Sequence, residues 1–180
     1  LGLLEDPFAK DLPTSLVEET PGVTLPANFN AYERWPQCVH PPLNQGGCGS
    51  CYSFAALTSF RVRQCIASAK EGTADPITPQ NMLSPQSTVN CGPTTGSCQD
   101  VNGGSDGCSG GMATNMFDYL TDKGVKTYGE LDYTAGGVNG GNFEDHMDGT
   151  EQFNTAEGHG SQCTLNTASN IKSSNWYHVK

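Results

Sequence analysis

The apolar positions of this chain fall into short periodic stretches separated by long aperiodic ones. Beyond Ser50, the residues Ala55, Thr58, Val62, Cys65, Ile66 and Ala69 recur at three- and four-residue spacing. That period predicts one apolar face of a helix of about five turns, with Ser50 at its cap position and Cys51 on its first turn. Ser84 followed by Pro85 is a second start signal, for a short helix through Val89. Met112, Met116, Tyr119 and Leu120 share one face of a third helix, from about Met112 to Lys123, with Gly124 as its stop. Trp176 to Val179 alternates enough to begin a strand. The remainder reads as connection. Residues 1–23 carry three prolines and several carboxylates without a sustained period, as in an extended arm. After Leu25-Pro26, Phe29, Tyr32 and Trp35 are expected to begin a packed region. Pro36 to Gly49 is too rich in Pro, Gly, Asn and Gln to be helical, and residues 134–161 predict a long surface loop. No internal repeat is visible.

Composition narrows the class. The chain of 180 residues is long enough for one or two domains, and its formal net charge of −10 argues against nucleic acid or an anionic membrane as partner, because an acidic surface repels phosphates. No apolar run approaches the ~18 to 20 residues that a membrane span needs. Eight cysteines in a chain of this size point to disulfides and an oxidising compartment, secretory or lysosome-like.

The chemistry concentrates at Gln45 to Phe54, QGGCGSCYSF. A thiol on the first turn of a helix meets unpaired backbone N–H groups and the positive end of the helix dipole, which favour a nucleophilic thiolate. Glycines at 46, 47 and 49 leave room for the backbone of a substrate to approach. Gln45 supplies an amide donor that, with the Cys51 backbone N–H, could hold a developing oxyanion. Two other readings stay open on local features. The cysteines could be structural thiols, or they could form a zinc half-site or redox pair, although a second Cys-x-x-Cys is missing and a Pro-rich loop, not a buried strand, precedes the motif. A calcium loop at 139–151, NGGNFEDHMDGTE, lacks the alternating ligand spacing of known loops. No metal or cofactor is expected.

QGGCGSCYSF resembles the active-site signature of the papain-like cysteine peptidases. Leu25 to Cys38, LPANFNAYERWPQC, is similar to the mature amino terminus of cathepsin B-like enzymes. Leu83 to Cys91, LSPQSTVNC, resembles the short helix that follows the active-site helix in this family, and Gly107 to Met112, GCSGGM, its glycine-rich cleft turn. Tyr52 after the cysteine, within CGSCYSFA, is similar to cathepsin C. The resemblance covers about residues 25–180 and implies an α+β, papain-like fold, with a helical left domain and only the beginning of the β-rich right domain. The expected divisions are an arm at 1–23 resembling the end of a propeptide, a left domain at 24–165 and the start of the right domain at 166–180.

Carried over residue by residue, the resemblance implies Cys51 as nucleophile and Gln45 as oxyanion donor. Gly111 would bond the substrate backbone like an added strand, with Gly110 beside it. Met112 and Ala113 would border the pocket for the residue two before the scissile bond, Met112 serving equally well as helix core, and Gly49 would flank the cleft opposite. It also implies the disulfides Cys38–Cys65, Cys48–Cys108 and Cys91–Cys163. Cys98 is left over: free, a local partner of Cys91 in place of Cys163, or a cross-link to another chain.

The family places its His and Asn about 130 to 150 residues beyond the nucleophile, at or past the last residue here. His178 has roughly the offset but not the glycine-rich context, and His40, His146 and His159 are poorly placed. The expectation is a thiol peptidase acting on peptides or proteins, lysosomal, vacuolar or secreted, whose His and Asn come from a further carboxy-terminal segment or light chain. The alternative is a catalytically inactive papain-like subunit of a larger assembly.

Overall fold

The computed structural model describes residues 14–15, 22, 24, 26–73, 75–91, 107–135, 171–172 and 178–179. Most of the arm, most of the 134–161 loop, and Cys98, Cys163, His146, His159 and the 139–151 acidic stretch lie outside the described residues.

A short helix α1, Ala31–Arg34, is capped by the Asn30 side chain, whose Oδ1 accepts from the Tyr32 N–H at 3.0 Å. A single 3-10 turn at Pro36–Cys38 follows. Helix α2 runs Cys51–Lys70, α3 runs Pro85–Cys91 and α4 runs Ala113–Asp122. Helix α4 ends where Gly124 takes φ 73°, its N–H bonded back to the Tyr119 carbonyl at 3.1 Å. Two residues of the arm, Thr14–Ser15 (β1), pair in parallel with His178–Val179 (β2).

The core forms where α2 packs against α3 and α4. Leu57, Leu83, Leu120 and Val125 make one buried cluster, and Tyr52, Ala56 and Met116 a second. Each side chain of leucine size buried in this way contributes roughly 1.5 to 3 kcal/mol. A third cluster sets Val89, Met82 and Tyr133 beside the Cys48–Cys108 disulfide. Strand-like pairing closes one edge: Ser84 donates to the Lys126 carbonyl at 2.9 Å and Tyr128 to the Met82 carbonyl at 2.8 Å, while Val125 and Ile171 exchange both bonds.

Helix α2 does not bury the expected face. Its buried residues are Tyr52, Ser53, Ala56, Leu57, Arg61 and Cys65, so only Cys65 of the expected stripe is buried. Ala55 is exposed, and Thr58, Val62, Ile66 and Ala69 are half-buried. Polar groups hide here because each finds a partner. The Ser53 hydroxyl bonds that of Thr88. Arg61 pairs with Asp75 at 2.9 Å and donates to the Asn81 carbonyl at 3.1 Å and to Gln64 Oε1 at 3.2 Å. With Asp75 half-exposed, water shares that end of the pair and lowers its desolvation cost. Ala55 and Thr58, with Phe54, line an open hollow of about 470 Å³ together with Tyr32, Val39 and Leu43.

The packed region expected from Phe29, Tyr32 and Trp35 is corrected for the first two, while Trp35 is half-buried. Phe29 is 63% and Tyr32 53% exposed. Phe29 leans on the Trp35 ring at 5.6 Å, and the Tyr32 hydroxyl donates to the His40 carbonyl. These rings cover a surface turn and add nothing to the core.

Three buried tyrosines give the fold an alkaline limit. Burial raises the Tyr119 hydroxyl to about 12 and pushes those of Tyr128 and Tyr133 up further, the charge of Asp132 adding to the effect at Tyr128. The unfolded chain loses these protons near pH 10 while the folded chain keeps them, so the folded state binds more protons above that pH. Stability is therefore intact below about pH 10 and falls as pH rises past it, more steeply than the ~1.4 kcal/mol per pH unit of a single group. Three of the six tyrosines are expected to ionise only together with loss of helical circular dichroism; more than three tyrosinates formed before unfolding would contradict this.

Candidate active site

Two distant stretches of the chain meet at the start of α2. The segment Asn44 to Ser50 turns through Gly46, whose φ of 61° suits glycine, and the Asn44 side chain accepts from the Gly46 N–H at 2.9 Å. From the other end comes the 3-10 turn Gly107–Ser109. The Cys48–Cys108 disulfide joins the two, and beside it the Gly49 N–H donates to the Cys108 carbonyl at 2.8 Å. Gly110 (φ 120°) and Gly111 are buried directly after this junction, followed by Met112, 4% exposed and extended as the residue before α4. Ala113, half-buried, opens α4. Gly49, Gly110, Gly111, Met112 and Ala113 are thus brought onto one pair of cross-linked loops, and Met112 packs as core at the helix entry.

Cys51 is the first residue of α2 and is half-buried. Among the described residues it is the one cysteine outside a disulfide. Cys38–Cys65 and Cys48–Cys108 are bonded, and Cys91 is bonded to a partner outside the described residues. Ser53 and Phe54 donate to the Ser50 carbonyl, whereas the Cys51 N–H has no bond among the described residues. That N–H belongs to the unpaired set that opens any helix and points out along its axis.

Ser50 does not cap α2 with its side chain. Its hydroxyl is turned instead to the Tyr133 hydroxyl at 2.6 Å, and Tyr133 donates to the Gln45 carbonyl at 2.8 Å. Tyr133 is wholly buried and meets the Phe54 ring edge-on at 4.9 Å. Behind it, the Gln86 side-chain oxygen accepts from the N–H groups of Thr134 and Ala135 at 2.8 and 2.9 Å. Tyr133 is marked by no local motif, and Gln86, although it lies within LSPQSTVNC, is not marked there as a partner of the site; their bonds span 48 to 88 residues, a separation that no spacing rule detects.

Among the described residues no group of three or more His, Cys, Asp and Glu is arranged to hold a metal ion, and no helix is long and apolar enough to cross a membrane. An acyl transfer needs a nucleophile, a donor pair for the oxyanion and a proton carrier. The site offers a thiol and the Cys51 N–H, with the Gln45 backbone at the start of the same loop. His40, the histidine whose side chain is described, bonds its own neighbour, the Pro41 carbonyl, at 2.7 Å.

Residues 25–178 match the family of papain family cysteine proteases. A cathepsin B-like CP2 of Giardia intestinalis is 30% identical over 112 residues, 62% of this chain and 32% of that protein. The matched residues span about a third of the length of the curated relatives. Among solved structures, digestive procathepsin L2 proteinase from Tenebrio molitor larval midgut is similar at TM-score 0.53 and 25% identity, over 73% of this chain and 38% of that one. Procathepsin B S9 from Trypanosoma congolense shares the fold at TM-score 0.51 and 20% identity, over 71% and 38%.

Proposed function

Because this chain belongs to the papain family of cysteine proteases, we propose that it is the nucleophile-bearing part of a thiol peptidase that hydrolyses peptide bonds. Cys51 sulfur adds to the scissile carbonyl carbon, and the carbonyl oxygen takes the negative charge against the Cys51 N–H and the Gln45 side chain. Collapse breaks the C–N bond, the amine leaves with a proton, and water then releases the acid from the thioester. Gly111 and Gly110 align the substrate backbone, Met112 and Ala113 border the pocket for the residue two before the cleaved bond, and Gly49 forms the facing wall. The proton carrier, a His oriented by an Asn, comes from sequence beyond these residues or from a second chain, a reading supported by relatives about twice as long. Residues 1–23 act as a propeptide-like arm, in keeping with the procathepsins among the similar structures. Disulfides and an acidic surface suit a lysosomal, vacuolar or secreted setting.

The observation that carries this reading is the free, half-buried Cys51 thiol on the first turn of α2, directly after a loop fixed by its own disulfide. Full-length protein from its native source, acid-treated to release any blocking arm, is expected to react with an epoxide probe directed at papain-like thiolates, with the adduct on Cys51 by mass spectrometry. Folded protein left unlabelled, while a known family member reacts alongside, would overturn the peptidase reading in favour of a non-catalytic structural subunit.

A further inference from the structure

Ser50 and Gln45 stand at the two ends of the loop that precedes α2, and one buried hydroxyl touches both. Tyr133 carries a single hydroxyl proton. The Gln45 carbonyl can only accept, so that proton goes to Gln45, at 2.8 Å. The bond between Ser50 and Tyr133, at 2.6 Å, must then run from the Ser50 hydroxyl to the tyrosine oxygen. The order of donation is Ser50 to Tyr133 to Gln45, and it turns the Ser50 side chain toward Tyr133 and away from the first-turn N–H groups of α2.

We propose that Tyr133 is a positioning residue for the peptidase reaction: its hydroxyl sets the Gln45 backbone, and so the Gln45 side chain, in register with Cys51. This deepens the function proposed above and rests on it. Three further features support it. The Tyr133 ring is immobilised by the edge-on contact with Phe54, on the second turn of the helix that carries Cys51. The backbone after Tyr133 is held to α3 by the twin bonds to Gln86, so the hydroxyl is fixed from behind rather than floating on a loop. Burial keeps the phenol protonated, against the weaker opposing pull of Ser50, so it remains a donor throughout any pH range in which the fold survives. The disulfide already anchors the middle of the loop through Cys48; the hydroxyl supplies what a disulfide does not, a fixed distance between the two ends.

Tyr133→Phe in the full-length protein removes the relay and keeps the ring. Two readouts separate positioning from bulk stability. In the folded variant, alkylation of Cys51 by iodoacetamide, which forms no oxyanion, is expected to stay within about twofold of the parent, whereas kcat for a peptide amide falls about 10- to 100-fold with KM little changed. Amide hydrogen exchange at residues 45–50 is expected to speed up about tenfold or more while exchange in α4 is unchanged. Equal peptide turnover by the two proteins would overturn the proposal, as would unchanged exchange at 45–50. Should the parent itself hydrolyse nothing, the peptidase reading fails, and the exchange measurement alone still decides whether Tyr133 holds Gln45. Ser50→Ala, which removes the outer donor and leaves the Tyr133–Gln45 bond, is expected to have a smaller effect on both readouts; a larger one than Tyr133→Phe would also overturn the proposed order.

Discussion

Cys51→Ser is expected to lower peptide turnover by the full-length protein by about three orders of magnitude or more while leaving its unfolding midpoint nearly unchanged. Both halves follow from position. A hydroxyl at the same place is a far poorer nucleophile than a thiol, since it is not ionised by the helix terminus or by an imidazole base to any useful extent. The oxyanion donors remain, so the residual rate is the part supplied by binding and electrostatics alone. Stability is spared because Cys51 is half-buried, is free of any disulfide and lies outside the buried clusters; exchanging sulfur for oxygen there costs within about 0.5 kcal/mol. The measurement is steady-state hydrolysis of a peptide amide beside a urea titration of the same preparations. Turnover persisting at the parental rate would place the nucleophile elsewhere, and a large stability loss would mean that Cys51 serves the fold.

The sequence makes the helices legible because their signals are local. Pro85 after Ser84, Gly124 after the Met116, Tyr119, Leu120 face and the glycine loop before Cys51 each state a boundary within a few residues. What is hidden depends on partners far along the chain. The buried face of α2 could not be read from apolar spacing, because two of its buried positions are Ser53 and Arg61, acceptable inside only once Thr88, Asn81 and Asp75 arrive to bond them. Ser50 is a residue type that caps helices, yet its side chain is turned to Tyr133, 83 residues away, and makes no cap bond. Phe29 and Tyr32 are aromatic enough to suggest core, but Tyr32 stands on a four-residue helix with no buried residue and Phe29 just before its cap, and neither position carries its ring inward. The site divides in the same way. Cys51 and its glycines form a contiguous motif; Met112 and Ala113 follow a second one; Tyr133 carries no motif, and the bonds of Gln86 to residues 134 and 135 emerge only from the folded geometry.

The largest stability effect is expected from the Cys48–Cys108 bond. It spans 60 residues of sequence, so removing it releases loop-closure entropy in the unfolded chain worth about 4 kcal/mol, a comparable figure to the slightly smaller one for Cys38–Cys65, which spans 27. Entropy alone would make the two bonds nearly interchangeable, but their surroundings differ. Cys38–Cys65 ties the turn before the loop to the far half of α2, away from the glycines. Cys48–Cys108 joins the two segments that carry Gly49 on one side and Gly110 and Gly111 on the other, and the Gly49 bond to the Cys108 carbonyl depends on the same junction. Alanine at both 38 and 65 should therefore lower the unfolding midpoint and leave the epoxide labelling rate of the folded fraction close to the parent. Alanine at both 48 and 108 should lower the midpoint by at least as much and slow labelling as well, because the loop that presents Cys51 loses its fixed wall. Labelling rates that fall equally in the two variants would reduce the Cys48–Cys108 bond to a staple of the fold; a rate lost only with Cys48 and Cys108 would make it a support of the cleft.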